Sequence, residues 1–129
     1  MESLEAMATL MKSVALDWGS APLLRAETAL EELLANSVAH GGALANGSAS
    51  DIWLGAALIG ERLQLRYEDG FAPFDPMDQI DKALRRTANT LEQRLPGGLG
   101  LLMVFRMADE FSYQRADERN RIDLAFLRQ

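Results

Sequence analysis

The sequence predicts a two-layer α+β sandwich, in which helices cover one face of a mixed, mostly antiparallel β-sheet. Apolar residues recur at three- and four-residue steps in the N-terminal third, which is typical of amphipathic helices. They recur at every second position in two later segments, 52–67 and 111–126, and a helical period returns between these segments. Helices and strand pairs in this order form a sandwich when the helices pack on one sheet face.

The N-terminal third predicts two helices. Gly19-Ser20-Ala21-Pro22 ends the first and starts the second, with Ser20 as the N-cap and Pro22 in the first turn. The second helix ends at the glycine pair Gly41-Gly42. The predicted buried positions are Leu4, Met7, Met11, Val14, Ala15 and Trp18 in the first helix, and Leu23, Leu30, Leu33, Leu34 and Ser37 in the second.

Two hairpins and two more helices complete the predicted fold. The ranges are 52–67 for the first hairpin with its turn near Gly60, about 77–94 for a polar helical stretch, 99–108 for a short apolar helix, and 111–126 for a closing hairpin. There is no internal repeat, low-complexity segment or linker. We therefore expect residues 1–129 to form one domain.

Composition narrows the class of function. The 129 residues are 48% hydrophobic and 25% charged, include no cysteine, and carry a net charge of −6. The absence of cysteine and of an export signal predicts a cytoplasmic protein. Direct nucleic-acid binding is disfavoured, because it depends on clustered cations that neutralise phosphates. We expect protein partners, and a nucleotide ligand remains possible because backbone amides and a metal can hold a triphosphate.

Three polar residues at four-residue spacing lie on one stripe of the second helix: Glu32, Asn36 and His40. One interpretation is that these residues form a solvent-exposed side of the helix. The alternative is that they form part of a functional site, since an asparagine oxygen can bind Mg²⁺ and a carboxylate one turn earlier can accept a proton. Glu31 lies off the stripe and is expected to face solvent.

A run of glycines precedes the short apolar helix. Gly97-Gly98-Leu99-Gly100-Leu101 leads straight into it, and a helix N-terminus offers free amides to phosphate. The same run could be an ordinary helix-breaking turn after Pro96.

Together these segments resemble the histidine-kinase-like ATPases. The stretch 32–41 resembles their N-box in the Glu-x-x-x-Asn-x-x-x-His-Gly form of the anti-sigma-factor serine kinases, and 97–113 resembles their glycine-rich box. The stretch 69–76 resembles the Asp-x-Gly-x-Pro-Phe-Asp-Pro form of this branch, with Phe71 where the family has glycine. The resemblance implies the histidine-kinase-like ATPase fold and an ATP lid at about 74–96.

The resemblance also implies the roles of individual residues. Glu32 would be the general base and Asn36 the Mg²⁺ ligand. His40 would neighbour the phosphates, although capping the helix end is equally open. The implied ATP-binding residues are Asn36, His40, Asp69, Ala72, Arg94, Gly97, Gly98, Leu99, Gly100 and Leu101.

Two neighbouring acids are candidates for the residue that accepts a hydrogen bond from the adenine amino group. One alignment selects Asp69, and the other selects Glu68. Position 69 continues the parity of the apolar strand residues Leu63, Leu65 and Tyr67, which should face the helices, so Asp69 is favoured. In the lid, Arg94 is nearest the glycines and is the candidate for a γ-phosphate contact.

The resemblance implies a serine/threonine protein kinase that phosphorylates an anti-anti-sigma partner, sequesters a sigma factor, or does both. The alternative is a non-catalytic, nucleotide-dependent protein-binding module. The family generally has a β-strand before the first helix, whereas this chain opens in helix. Either the strand is absent or the sequence begins after it. An absent strand would leave an exposed sheet edge that a second copy could cover, so a homodimer is a further expectation.

Overall fold

The computed structural model describes residues 2–14, 18–41, 51–89 and 99–128. The elements are α1 (Glu2–Val14), α2 (Ser20–Asn36), a π-helical turn (Ser37–Gly41), β1 (Ile52–Ile59), β2 (Arg62–Asp69), α3 (Pro76–Asn89), α4 (Leu99–Met107), β3 (Glu110–Ala116) and β4 (Arg119–Leu127). The predicted α+β sandwich is confirmed. Its four described strands are all antiparallel, in the order β1-β2-β4-β3. None of the described helices is long and apolar enough to cross a membrane.

The two faces of the sheet differ in chemistry. On one face, Leu65 pairs with Leu124, which in turn pairs with Phe111, and these residues join the core beneath the helices. On the other face, Arg66 pairs with Asp123, and their side chains form an ion pair at 2.8 Å. One packed and one solvated face is the usual arrangement for an antiparallel sheet.

The hydrophobic core lies between α2, α4 and the sheet. Leu30 and Leu33 of α2, Val104 of α4 and Leu63 of β2 are essentially inaccessible to solvent. Burial of one such side chain stabilises the fold by about 1.5–3 kcal/mol. Because α2 and α4 pack side by side in this core, it fixes the distance between the two helices that carry the N-box and the glycine-rich box.

The ends of α2 differ from the prediction. Gly19 is the N-cap and Ser20 is the first helical residue, so the predicted serine cap is wrong; no side chain caps this end. At the other end the helix widens into the π-helical turn Ser37–Gly41. A π turn bonds each carbonyl to an amide five residues on. Glu32 and Asn36 thus lie one turn apart within α2, whereas the backbone of His40 belongs to the π-helical turn.

Helix α3 begins at a proline with an aspartate before it. The Met77 amide donates to Asp75 Oδ1 at 2.9 Å, so Asp75 caps the helix and Pro76 occupies a position where no amide is needed. The Phe-Asp-Pro part of the sequence motif thus has a local structural reason. It starts the helix of the predicted lid segment directly after the loop 70–74.

Candidate functional site

Asp69 is the last residue of β2 and lies on the helix-facing side of the sheet, only 7% exposed. Its Oδ2 accepts a hydrogen bond from Ser37 Oγ at 2.8 Å. Its Oδ1 accepts two more, from the Phe71 amide at 3.2 Å and from Asn120 Nδ2 at 2.9 Å. Since a carboxylate oxygen accepts about two hydrogen bonds, Oδ1 is saturated by these described residues and Oδ2 keeps one acceptor position.

Glu68 lies on the opposite face of the sheet. Its carboxylate contacts Arg121 at 3.2 Å and Arg119 at 3.9 Å, and the Arg119 guanidinium stacks on the Trp53 ring at 3.5 Å. The two acids that the sequence alignments leave open therefore point away from each other. Only Asp69 reaches the space between sheet and helices.

A buried relay of hydroxyl groups supports Asp69 from the helix side. The single hydroxyl hydrogen of Ser37 is used in the hydrogen bond to Asp69. In the hydrogen bond between Ser37 Oγ and the Tyr67 hydroxyl, at 2.8 Å, Tyr67 is therefore the donor. Burial raises the pKa of the Tyr67 hydroxyl well above its ordinary value, so the group stays a donor. Ser37 makes these contacts from the first residue of the π-helical turn, directly after Asn36.

A cavity of about 20 Å³ lies next to these groups, between α2, β2 and β4. This volume is close to that of one water molecule. Among its lining residues, Asn36 and Phe74 are partly exposed, so the cavity is nearest to solvent at these two. The full lining is Leu33, Asn36, Ser37, Tyr67, Asp69, Phe74, Asn120 and Ile122.

A larger depression of about 700 Å³ lies on the other face of the sheet. Its lining includes the small residues Gly55, Ala57 and Ala125. None of the predicted site residues lines it. Of its charged lining residues, Arg66 and Asp123 pair with each other and Glu110 pairs with Arg62. We therefore place the candidate site on the helix-facing side.

The second end of the site is the contact between α2 and α4. A methyl group added at Gly100 would overlap Glu32 Oε2 and lie 3.2 Å from Glu32 Cδ. The Glu32 carboxylate therefore rests on the first turn of α4, where free amides and the positive end of the helix dipole favour negative charge. Asn36 lies one turn further along α2, toward Asp69 and its cavity.

The donor set at this end fits Mg²⁺. The ion takes one or two protein oxygens and completes an octahedron with phosphate oxygens and water. Asn36 offers an amide oxygen, and Glu32 a carboxylate one turn away. The described residues contain no group of three or more acidic or histidine side chains that could hold a metal without such help.

Some of the predicted site residues lie outside the part of the chain that the structure describes, and two others are described and could contribute through their backbone. Arg94, Gly97 and Gly98 lie outside the described residues, as do the side chains of His40 and Leu99. The Leu101 side chain is 3% exposed and belongs to the core, so only its backbone could face a ligand. Ala72 is exposed, and its carbonyl accepts a hydrogen bond from Asn120 Nδ2 at 2.9 Å.

Sequence reasoning missed the polar partners of Asp69. Ser37 was expected among buried positions, and a buried serine needs a hydrogen-bond partner, which was a usable signal. The sequence pattern predicts Asn120 only as the last residue of the turn 116–120 in the closing hairpin. Only the strand register, which pairs it with Asp69, reveals its place in the site.

A family model described as the histidine kinase-like ATPase domain matches residues 2–126 of the chain. The match covers both helices of the N-terminal third, all but the last residue of the described sheet, and the helix that follows the glycines. A search of curated proteins gives no match.

Proposed function

Because the chain belongs to the histidine kinase-like ATPase domain family, we propose that it binds ATP with Mg²⁺ and transfers the γ-phosphoryl group to a serine or threonine of a protein partner. The observation that supports this most is the contact between Glu32 and Gly100. It sets a carboxylate at the helix N-terminus where phosphates would bind. Asp69, with one acceptor position left, lines the small cavity together with Asn36, which is one helical turn from Glu32.

In this proposal Asp69 Oδ2 accepts a hydrogen bond from the adenine amino group. That group is a donor, whereas guanine has a carbonyl at the same position, so an ionised carboxylate selects adenine. The phosphates extend toward the first turn of α4, whose amides donate to them. Asn36 would hold Mg²⁺ together with the phosphates, and the ion would neutralise the phosphate charge.

Glu32 is the proposed general base. It accepts the proton of the attacking hydroxyl as that oxygen bonds to the γ-phosphorus, while the bond from phosphorus to the bridging oxygen breaks and ADP leaves. The carboxylate is only partly buried, so a partner's side chain can approach it. The dipole of α4 stabilises the charge on the transferred group.

The proposed partner is an anti-anti-sigma protein that receives the phosphoryl group, a sigma factor that is sequestered, or both in turn. Two features support a protein partner: the net charge of −6 and the likeness of 69–76 to the anti-sigma-factor serine kinases. A cytoplasmic homodimer is part of the same proposal. If ATP binds and no phosphoryl group moves, a nucleotide-dependent binding module is the alternative function.

Two measurements test the proposal. The first is the melting temperature with and without ATP and Mg²⁺, where saturation at 100 Kd should stabilise the fold by about 2.7 kcal/mol. The second follows γ-labelled ATP onto candidate anti-anti-sigma proteins. Glu32→Gln should keep ATP binding and lose transfer, and Glu31→Gln is the matched control because Glu31 is exposed and lies off the stripe. Equal transfer by both variants would exclude Glu32 as the base.

A further inference from the structure

We propose that Asn120 is a positioning residue for purine recognition, which holds the Asp69 carboxylate and the root of the lid segment as one unit. This inference rests on the proposed ATP binding. Asn120 lies at the start of β4, directly opposite Asp69 in the β2–β4 register, and is 6% exposed. Its Nδ2 donates to Asp69 Oδ1 at 2.9 Å.

The same amide group fastens the loop that leads to α3. Asn120 Nδ2 also donates to the Ala72 carbonyl at 2.9 Å, and Oδ1 accepts from the Phe74 amide at 3.1 Å. One side chain therefore joins Asp69 to both ends of the segment 72–74. The first residues of the lid segment cannot shift far without disturbing the hydrogen bond to Asp69.

Two residues of β3 complete this arrangement. The Tyr113 hydroxyl donates to Asn120 Oδ1 at 2.7 Å, and Arg115 Nη1 donates to the Phe71 carbonyl at 2.8 Å. Tyr113 helps to fix which way the Asn120 amide faces. In the flipped orientation, the NH₂ group would face two other donors, the Tyr113 hydroxyl and the Phe74 amide. The flip would also set the amide oxygen against the Asp69 carboxylate.

The residue type follows from these contacts. The position needs a donor toward Asp69 and Ala72 and an acceptor toward Phe74 and Tyr113 on one short side chain. Asparagine supplies both, whereas an ionised aspartate accepts only. By saturating Oδ1, Asn120 leaves Oδ2 as the acceptor that faces a purine. It thereby sets the selectivity for a 6-amino group without touching the base.

The test compares the affinity for ATP with that for purine riboside triphosphate, which lacks the 6-amino group. A hydrogen bond to a charged acceptor predicts roughly a 10- to 100-fold preference of the wild type for ATP. Asn120→Ala should bring this ratio close to one while the affinity for the analogue changes less than about threefold. Gln64→Ala, on the exposed sheet face, is the control and should keep the wild-type ratio.

Two further variants keep the test decisive if Asn120→Ala does not fold. Tyr113→Phe removes one donor to Asn120 and should lower the ratio by a few fold. Asn120→Asp keeps an acceptor toward Phe74 and Tyr113 but places an acceptor where Asp69 and Ala72 need a donor. Its preference for ATP should fall toward one, as in Asn120→Ala.

The outcomes separate the two proposals. An unchanged ATP preference in folded Asn120→Ala, Asn120→Asp and Tyr113→Phe overturns the role of Asn120 and leaves ATP binding intact. A wild type that binds neither nucleotide overturns the proposed function, and the positioning role with it.

Discussion

The carboxylate of Glu32 in α2 lies against Gly100 in α4, in the space that a Cβ at position 100 would occupy. In the sequence, this glycine belongs to a run that could admit phosphate. In the structure, its missing Cβ also makes room for the proposed general base. The position of the base thus depends on a residue of the glycine-rich box.

Gly100→Ala should reduce phosphoryl transfer much more than ATP binding. The added methyl overlaps Glu32 Oε2 and pushes the carboxylate aside, and a displacement of about 1 Å at a catalytic group can cost roughly 100-fold in rate. The gain in helix propensity, about 1 kcal/mol, should largely offset the cost of overpacking. Single-turnover transfer rates, with ATP affinity measured in parallel, check this.

Gly55→Ala is the matched control, since its new methyl meets only Arg66 Cβ, at an ordinary 3.8 Å. Unfolding free energies of Gly100→Ala, Glu32→Ala and the double variant provide the second check. If the contact is real, the double variant is more stable than the sum of the single effects predicts. Strict additivity would contradict the contact.

Asp69→Asn and Glu68→Gln should have opposite consequences, although the residues are neighbours. Asp69→Asn replaces an obligate acceptor and should weaken ATP binding at least tenfold, because the amide offers a donor to another donor. Glu68→Gln loses its ion pairs with Arg119 and Arg121 on the far face and should lower stability with little change in affinity. Isothermal titration and urea unfolding of both variants measure the two effects. The reverse pattern would make Glu68 the purine acceptor.

The contrast between these acids shows how far the sequence alone could lead. Strand periodicity predicts which side of the sheet each acid faces, because alternation is a local property of the backbone. Ser37 and Asn120 could not be assigned in this way. Their contacts with Asp69 depend on a π-helical turn and on the β2–β4 register, which many distant residues determine together. The close contact at Gly100 likewise requires the packing distance between two helices.

Ser37→Ala should lower both stability and ATP affinity. The change leaves Tyr67 without its acceptor and removes one of the three donors to Asp69. A buried polar group that loses its partner costs about 1–3 kcal/mol. Urea unfolding and ATP titration check the two effects, with Ser112→Ala on the exposed face as the control. Wild-type stability and affinity in Ser37→Ala would mean that the relay does not support Asp69.

The relay also predicts a specific response to alkaline pH. Burial raises the pKa of the Tyr67 hydroxyl above the value of about 10 that it has in the unfolded chain. Below pH 10 the hydroxyl is protonated in both states and does not affect the pH dependence. Above that pH the unfolded chain releases the proton and the folded chain keeps it. Stability should then fall as pH rises, by up to about 1.4 kcal/mol per pH unit from this group.

Tyr67→Phe should flatten that decline between pH 10 and 11, even though losing the hydrogen bond to Ser37 lowers stability at neutral pH. The measurement is the slope of the unfolding free energy against pH, which separates the titration from the constant loss. Burial also raises the pKa of Tyr113, a less buried group, so part of the slope should persist. Tyr113→Phe is therefore the comparison and should change the slope less. Equal slopes in the wild type and Tyr67→Phe would show that Tyr67 releases its proton as readily in the folded protein as in the unfolded chain.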